Sequence, residues 1–365
     1  MWIKNISLDS FRNYDKADVE FSKDINIFIG DNAQGKTNLL ESLYYLANAT
    51  SFKKIRDKDI ISFDKDTMTL EGIIRKDKYF KHVYINVDQN SKNIYVNEVK
   101  YERNKDLKAL FSLVLFTPED LLIIKEGPNL RRDLIDDIII SVDFSYKQIK
   151  KQYDKLIFQR NKLLKNQKSP YFEDQVRAFD KNLCRYGYRI YKKRAKITGL
   201  IGRFANEYHD LLSEGKEDLK INYRPDIMAT SQEDYYQKFI KSYDLDKKYQ
   251  TTQAGIHKDE IEITINDKLI KSFGSQGQQR SAILNIKLAQ VRLIREVTGD
   301  KSVILFDDVF SELDEKRSHF LLENLEGYQT IITATNTKSL DMVDESSLRY
   351  INNGKIYQNL IQGRF

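Results

Sequence analysis

The octapeptide Gly30-Asp31-Asn32-Ala33-Gln34-Gly35-Lys36-Thr37 constrains this chain more than any other feature of its sequence. It follows the apolar run Ile25–Ile29 and opens a segment, residues 38–47, with the residue pattern of a helix. Strand, glycine-containing loop and helix, in that order, form the setting of a P-loop, which calls for an α/β fold. The two glycines let backbone N–H groups wrap a chain of phosphates. Lys36 is placed to reach the β- and γ-phosphates and the Thr37 hydroxyl to bind Mg²⁺, while the helix N-terminus adds its positive end. Asp31, Asn32, Ala33, Gln34 and Asn38 complete the cradle. The bare pattern turns up by chance in roughly one chain in a hundred of this length, so the flanking strand and helix carry the assignment.

A second apolar run, residues 301–307, ends in Asp307 and Asp308. In such a site Asp307 holds the Mg²⁺ shell and Asp308 positions or activates water. Acids at a strand end are commonplace alone; behind a P-loop they acquire a partner. Phe273-Gly274-Ser275-Gln276-Gly277-Gln278-Gln279-Arg280 leads into a helix expected over residues 277–297, just before that strand. Ser275, with the backbone of a helix N-terminus, would cap a γ-phosphate. In isolation a glycine-serine helix start is usually only a cap.

The 365 residues suffice for two or three domains. Cys184 is the lone cysteine, so no intrachain disulfide forms and a reducing compartment is expected. Residues 1–21 lack the apolar core of a signal peptide, and no stretch approaches the ~18 apolar residues of a spanning helix. A secreted or integral-membrane protein is therefore not expected. The net charge of +6 is unevenly placed. Residues 145–203 hold 17 Lys or Arg against 4 Asp or Glu, and the remainder of the chain is mildly acidic. Such a block suits a polyanion or, more blandly, a solvated helical face. The same region has helical periodicity over residues 145–166 and 171–212, broken at Ser169-Pro170, with legs of roughly 30 Å. Gly187, Gly199 and Gly202 count against an unbroken second leg. Strands are expected over residues 3–8, 18–21, 68–74, 79–87 and 93–99 before this region, and over 260–266 and 330–334 after it. The simplest organisation is one α/β domain, residues 1–130 and 255–365, interrupted by a helical arm at 131–254.

Taken together, the P-loop, the acidic strand end and Ser275-Gln276-Gly277-Gln278 resemble ATP-binding-cassette ATPases. Their Leu-Ser-Gly-Gly-Gln signature is matched at Ser275, Gly277 and Gln278 and departed from at Gly274 and Gln276. Ser311-Glu312-Leu313-Asp314 is similar to the D-loop of that superfamily. The resemblance narrows to the RecF recombination-mediator family through several further blocks. These are Phe11-Arg12-Asn13-Tyr14, Pro118-Glu119-Asp120, Gly127-Pro128-Asn129-Leu130-Arg131-Arg132 with Asp136, Gly255-Ile256-His257-Lys258-Asp259, and the Asp307-Asp308 pair. The blocks run from residue 8 to about 320, and the insert at 145–250 matches only in size and helical character.

The resemblance implies an ABC/SMC-type P-loop ATPase head with an inserted helical arm domain. It implies ATP and Mg²⁺ as cofactors, with Arg12 and Asn13 joining the ATP site and Lys36, Asp307 and Asp308 as catalytic residues. ATP would lie between the P-loop of one copy and Ser275 of another, giving a homodimer that forms with nucleotide and separates on hydrolysis. It further implies a weak, DNA-stimulated ATPase that clamps double-stranded DNA at single-strand/double-strand junctions and works with RecR and RecO to load RecA. That role belongs to DNA repair, replication and the SOS response, in the cytoplasm at the nucleoid. Where transporter ATPases carry a switch histidine, this chain reads Ile332-Thr333-Ala334-Thr335-Asn336. Asp308 is also one methylene shorter than Glu, and both departures imply slow hydrolysis.

Two surfaces are candidates for DNA. Arg177, Lys181, Arg185, Arg189, Lys192 and Lys196 recur three or four residues apart and form one stripe opposite the apolar face of the second arm helix. Lys53, Lys54 and Arg56 form a basic loop soon after the P-loop helix. Tyr186, Tyr188 and Tyr191 read as packing residues, and His257 as structural. Arg131 and Arg132 either face phosphate or anchor their helix through Asp136. His82, His209 and His257 lack metal-ligand spacing. The competing readings are a transporter ATPase subunit and the ATPase of a nuclease-linked SMC-like complex.

Overall fold

The computed structural model describes residues 1–53, 55–76, 78–101, 107, 111–168, 170–336 and 347–358; Lys54 and Ser169 lie outside them. The chain forms two compact units, Met1–Asp120 with Ile294–Phe365, and Leu121–Leu293.

The first unit carries two six-stranded sheets. One has the order Lys355–Tyr357, Leu348–Asn352, Ile25–Ile29, Thr330–Ala334, Val303–Asp307, Leu113–Phe116. Its strands run parallel except for the edge hairpin of Leu348–Asn352 with Lys355–Tyr357. Val303–Asp307 and Thr330–Ala334 are buried at every position, which explains their continuous apolar runs: a parallel strand covered on both faces has no polar side to alternate with. Thr330–Ala334 lies between the P-loop strand and the acidic strand and runs parallel to both, so the two motifs emerge at the same edge of the sheet, one strand apart.

The other sheet is antiparallel, in the order Tyr14–Glu20, Trp2–Phe11, Thr67–Lys76, Tyr79–Asp88, Lys92–Val96, Val99–Tyr101. Met68, Leu70, Gly72 and Ile74 alternate into the core, where the P-loop helix Lys36–Asn48 buries Leu39, Leu40, Leu43 and Leu46. Gly72 permits that approach, since a Cβ there would stand 2.5 Å from Leu46 Cδ2. The run expected as one strand over residues 93–99 is instead a hairpin. Asn97 and Glu98 both take positive φ (47° and 66°), reversing the chain in two residues.

The second unit is built on one helix, Phe172–Ser213. It packs against the helix Ser145–Leu164 and the three-stranded sheet of Leu219–Arg224, Glu260–Ile265 and Lys268–Leu269. At 42 residues it is about 63 Å long, twice the leg expected from the sequence, because it runs unbroken through all three glycines. Two of them have packing reasons. A Cβ on Gly187 would press on the Tyr235 hydroxyl at 3.0 Å, and one on Gly202 on the Ile221 carbonyl oxygen at 3.2 Å. The basic block is also not wholly surface. Arg194 is buried between Asp136 and Asp259, and Arg160 between Asp180 and Asp246.

Candidate functional site

The loop at residues 30–37 leaves its strand and enters the helix through Gly35, whose φ of 117° only glycine adopts without strain. A Cβ at Gly35 would lie 2.8 Å from Asn13 Nδ2 and 3.0 Å from the Tyr14 hydroxyl. Those neighbours brace the loop: Asn13 Nδ2 donates to the Gln34 carbonyl at 3.1 Å, Tyr14 OH to the Gly35 carbonyl at 3.0 Å, and Asn38 Nδ2 to Asn13 Oδ1 at 2.9 Å. On the other side the edge hairpin holds it. The Gly354 amide donates to the Gln34 carbonyl at 3.0 Å and the Asn353 amide to Gln34 Oε1 at 2.7 Å. Sequence reasoning missed this clasp, although Asn353-Gly354 is a strong turn signal. Asp31, Asn32 and Ala33 form the exposed crest.

Lys36 Nζ lies back along the loop, donating to the carbonyls of Gly30 (2.5 Å) and Asp31 (2.9 Å). Burial pulls its ammonium below the ordinary value, against the opposing pull of Asp308, Asp307 and Asp31. The Thr37 hydroxyl donates to Asp307 Oδ1 at 2.9 Å, and the Thr333 hydroxyl to the same oxygen at 3.1 Å. Burial raises the Asp307 carboxyl, and these hydrogen bonds oppose the shift. Thr333, fully buried, also receives the Asp308 amide at 3.1 Å, so it serves the two acids and does not point at open space. Asp308 takes a left-handed conformation (φ 52°), and its buried Oδ1 has no hydrogen-bond partner among the described residues. The structure thus brings Lys36, Thr37, Asp307 and Asp308 together in one cluster.

Arg12 is bound to the P-loop helix. Its Nε and Nη2 grip the buried Glu41 carboxylate at 3.0 and 2.8 Å, and Nη1 donates to the Asp59 carbonyl at 2.8 Å. Lys53 joins the same carboxylate at 3.3 Å and Asn38 Oδ1 at 3.3 Å. Burial would raise Glu41, yet the hydrogen bonds from Arg12 and Ser51 and the nearby charges of Lys53 and Arg12 hold it below the usual carboxylate range. Arg56 is exposed and paired with Asp59.

Ser275, Gly277 and Gln278 belong to the second unit, apart in the chain from the cluster above. Ser275 Oγ accepts the Gln278 amide at 3.2 Å and Gln278 Oε1 accepts the Ser275 amide at 2.8 Å, a reciprocal cap on the helix Gln276–Thr298. Ser275 is itself exposed. All six stripe residues, Arg177, Lys181, Arg185, Arg189, Lys192 and Lys196, are exposed, and among the described residues none meets a carboxylate. Arg185 instead lies over the Tyr186 ring, 5.0 Å from its centroid. His257 accepts from Tyr153 OH at Nδ1 and donates from Nε2 to the Thr252 carbonyl, and burial pushes its pKa down to about 4. Arg131 grips Glu260 bidentately, whereas Asp136 is taken by Arg194. Among the described residues no group of His, Cys, Asp and Glu could hold a metal ion by itself, and no helix is long and apolar enough to cross a membrane.

Comparison with known proteins agrees with this geometry. The family described as RecF/RecN/SMC N terminal domain matches residues 2–356. The DNA replication and repair protein RecF of Clostridium acetobutylicum is 36% identical over 361 residues, 98% of this chain and 99% of its own. That of Clostridium beijerinckii is 37% identical over 370 residues, covering both chains in full. Two solved structures of the recombination mediator protein RecF in the RecFOR pathway, named RecF-ATPrS and RecF-ATP, share 34% identity. They superpose with TM-scores of 0.90 and 0.88, covering 98% and 97% of this chain and 97% and 96% of theirs. The Smc head domain of Pyrococcus furiosus, 16% identical with a TM-score of 0.56, covers 98% of this chain and 95% of its own and shares the fold.

Proposed function

The chain belongs to the RecF family, and from that premise we propose that it is an ATP-controlled recombination mediator acting on DNA. The observation that carries the nucleotide half of this reading is the 2.9 Å hydrogen bond from Thr37 to Asp307, which joins two motifs 270 residues apart. A hydroxyl and a carboxylate oxygen beside a P-loop are hard donors that suit Mg²⁺. Thr37 and Asp307 would hold it, and when bound it neutralises charge on the β- and γ-phosphate oxygens. Lys36 exchanges its two loop carbonyls for phosphate oxygens. Asp308, with a carboxylate oxygen unpartnered among the described residues, orients the attacking water. Asn13, Gln34, Asn38 and the Asn353-Gly354 turn keep the loop in shape for this exchange.

Ser275, Gly277 and Gln278 of a second copy would complete the site, so that ATP forms a homodimer and slow hydrolysis releases it. The exposed stripe from Arg177 to Lys196 would hold the backbone of double-stranded DNA without reading its sequence. Lys53 is committed to Glu41 and Arg56 to Asp59, which makes that loop the lesser candidate. At a single-strand/double-strand junction the dimer would work with RecR and RecO in loading RecA, in the cytoplasm at the nucleoid. Sedimentation velocity with ATP and Mg²⁺ tests the core of the proposal. Wild type should pair with nucleotide and Lys36→Met should stay monomeric; a Lys36→Met protein that still pairs with ATP refutes the site.

A further inference from the structure

The hydrogen bonds that cap the helix Gln276–Thr298 do not end at Gln278. Its Oε1 accepts the Ser275 amide, and from the other end of the side chain Nε2 donates to Glu217 Oε1 at 2.8 Å. The second oxygen of that carboxylate meets His209 Nε2 at 2.9 Å, and His209 Nδ1 meets Asn285 Nδ2 at 3.0 Å. A carboxylate only accepts, so Nε2 carries the ring proton and Nδ1 accepts from the Asn285 amide. The chain of bonds from Ser275 to the buried His209 lies wholly within the second unit.

Its inner end is fixed by packing. His209 is buried near the end of the helix Phe172–Ser213, and the fully buried Asn285 lies about two turns past Gln278 on the same helix face. Glu217 stands in the turn between the helix Phe172–Ser213 and the strand Leu219–Arg224. Its own amide donates to Ser213 Oγ at 3.3 Å, and the next two amides donate to Asn266 Oδ1 and Asn206 Oδ1, both at 2.9 Å. Among the described residues no Lys or Arg meets the Glu217 carboxylate: Lys216 pairs with Glu214, and Lys220 with Asp218 and Asp267. Its charge therefore falls on His209 and Gln278.

That charge decides which way the Gln278 amide faces. Only its NH₂ can meet Glu217, so its carbonyl is left for the Ser275 N–H; reversed, like groups would oppose each other at both ends. With the cap set this way, Ser275 Oγ accepts the Gln278 amide, and among the described residues the hydroxyl proton has no acceptor. Gln279 braces the other side, donating to the Ile270 and Gly274 carbonyls at 3.2 Å each. An exposed donor held in place beforehand suits a phosphate oxygen. We propose that Glu217 is a positioning residue: held by His209, it orients Gln278 and so aims Ser275 at the nucleotide of a second copy. The proposal rests on ATP lying between Lys36 of one copy and Ser275 of another. Gln278 then acts through Ser275, both of its polar ends being engaged in its own chain.

Sedimentation with ATP and Mg²⁺ over a range of protein concentrations gives the pairing constant. Glu217→Ala should weaken pairing about 10-fold for each composite site, hence about 100-fold for a dimer with two, the effect of losing one hydrogen bond to a partly wetted carboxylate. ATP binding by the monomer should not change. Gln278→Ala should weaken pairing at least as much, and adding Glu217→Ala to it should cost nothing more, because Glu217 acts through Gln278. Glu217→Gln should pair within about 3-fold of wild type. Its carbonyl still accepts from Gln278, and its NH₂ can donate to His209 once the ring proton moves to Nδ1 and Asn285 turns its Oδ1, unpartnered among the described residues, toward it. Wild-type pairing in Glu217→Ala, additive losses in the double variant, or no recovery in Glu217→Gln would each overturn the proposal. If Glu217→Ala does not fold, Glu217→Asp, which draws the charge back by one methylene from Gln278, takes its place with the same expectation. Normal pairing in Glu217→Ala while Ser275→Asp stays monomeric removes the positioning role alone; normal pairing in both removes the composite site with it.

Discussion

Replacing Arg185, Arg189 and Lys192 with Ala removes half of the arm stripe and, apart from the contact of Arg185 with Tyr186, leaves the packing of the helix untouched. All six stripe residues are exposed, while Val176, Leu183, Ile190, Ile197 and Phe204 anchor the opposite side of the helix. At 100° per residue the six cations fall within an arc of about 120° and span about 29 Å of helix axis, so one duplex can meet them together. Among the described residues none has a carboxylate to leave before meeting phosphate; Arg185 has only to lift from Tyr186. If each of the three neutralises one phosphate, the log–log salt slope falls by about 2.7. Between 50 and 200 mM salt, wild type should then lose about 40-fold more affinity than the triple variant. Fluorescence anisotropy on a labelled blunt duplex across that salt range measures both curves. Sequence preference and ATP binding should not change, since backbone contacts do not read bases and the nucleotide motifs lie elsewhere in the chain. Parallel salt curves for the two proteins would refute the stripe as a DNA surface and leave it a solvated helix face.

Other perturbations address the nucleotide cluster. Asp308→Asn should retain ATP binding but slow turnover at least ~10²-fold and prolong the dimer on DNA, read by phosphate release; unchanged turnover would assign the water to another group. Ser275→Asp keeps the helix cap, so its melting temperature should stay within a few degrees of wild type, yet its charge should prevent ATP-driven pairing in sedimentation. Pairing at wild-type strength would remove Ser275 from the composite site. Glu41→Gln should destabilise the first unit by about 2–3 kcal/mol, below the cost of breaking a fully buried pair because Arg12 and Lys53 retain some access to water. Because the native Glu41 carboxyl is held below its ordinary value, its contribution is complete above the unfolded pKa near 4.5 and disappears as pH falls through the depressed native one. The gap in thermal stability between the two proteins should therefore be constant from pH 8 to pH 5 and close only in more acid solution; a gap that closes between pH 7 and 6 would contradict that account.

The nucleotide cluster was legible in the sequence because its parts are local. Ile25–Ile29 and Thr330–Ala334 appear with the expected bounds, and each carries its signal as an uninterrupted apolar run. Leu113–Phe116 has only four residues, too few for any period to register, although it closes the parallel sheet beside Val303–Asp307. The hairpin of Leu348–Asn352 and Lys355–Tyr357 is half polar because only one of its strands borders the core sheet. Its Asn353-Gly354 turn was the available clue. The helix Pro128–Val142 likewise announces itself by proline at its first turn, a start signal that went unused beside the motif resemblance in the same residues.

Charge was harder to interpret than apolar pattern, because sequence gives a cation's position but not its partner. Arg185, Arg189, Arg194 and Lys192 are near neighbours in one helix, yet Arg194 is 1% exposed and gripped by Asp136 and Asp259 while the other three face outward. Helical geometry separates them: Arg194 falls on the side of Ile190 and Ile197, away from the stripe. Proximity along the chain offers Asp136 to Arg131 or Arg132 as one of two readings, whereas its arginine partner, Arg194, is 58 residues away. The basic loop shows the converse. Lys53 lies 15 residues past Asn38 and bonds to it, and Glu41, an ordinary helix residue by sequence, proves to be the buried anion that holds Lys53 and Arg12. A cation already satisfied by a buried carboxylate must give up that partner before it can meet a phosphate. That cost separates the loop from the stripe as a surface for DNA more sharply than their charge counts do.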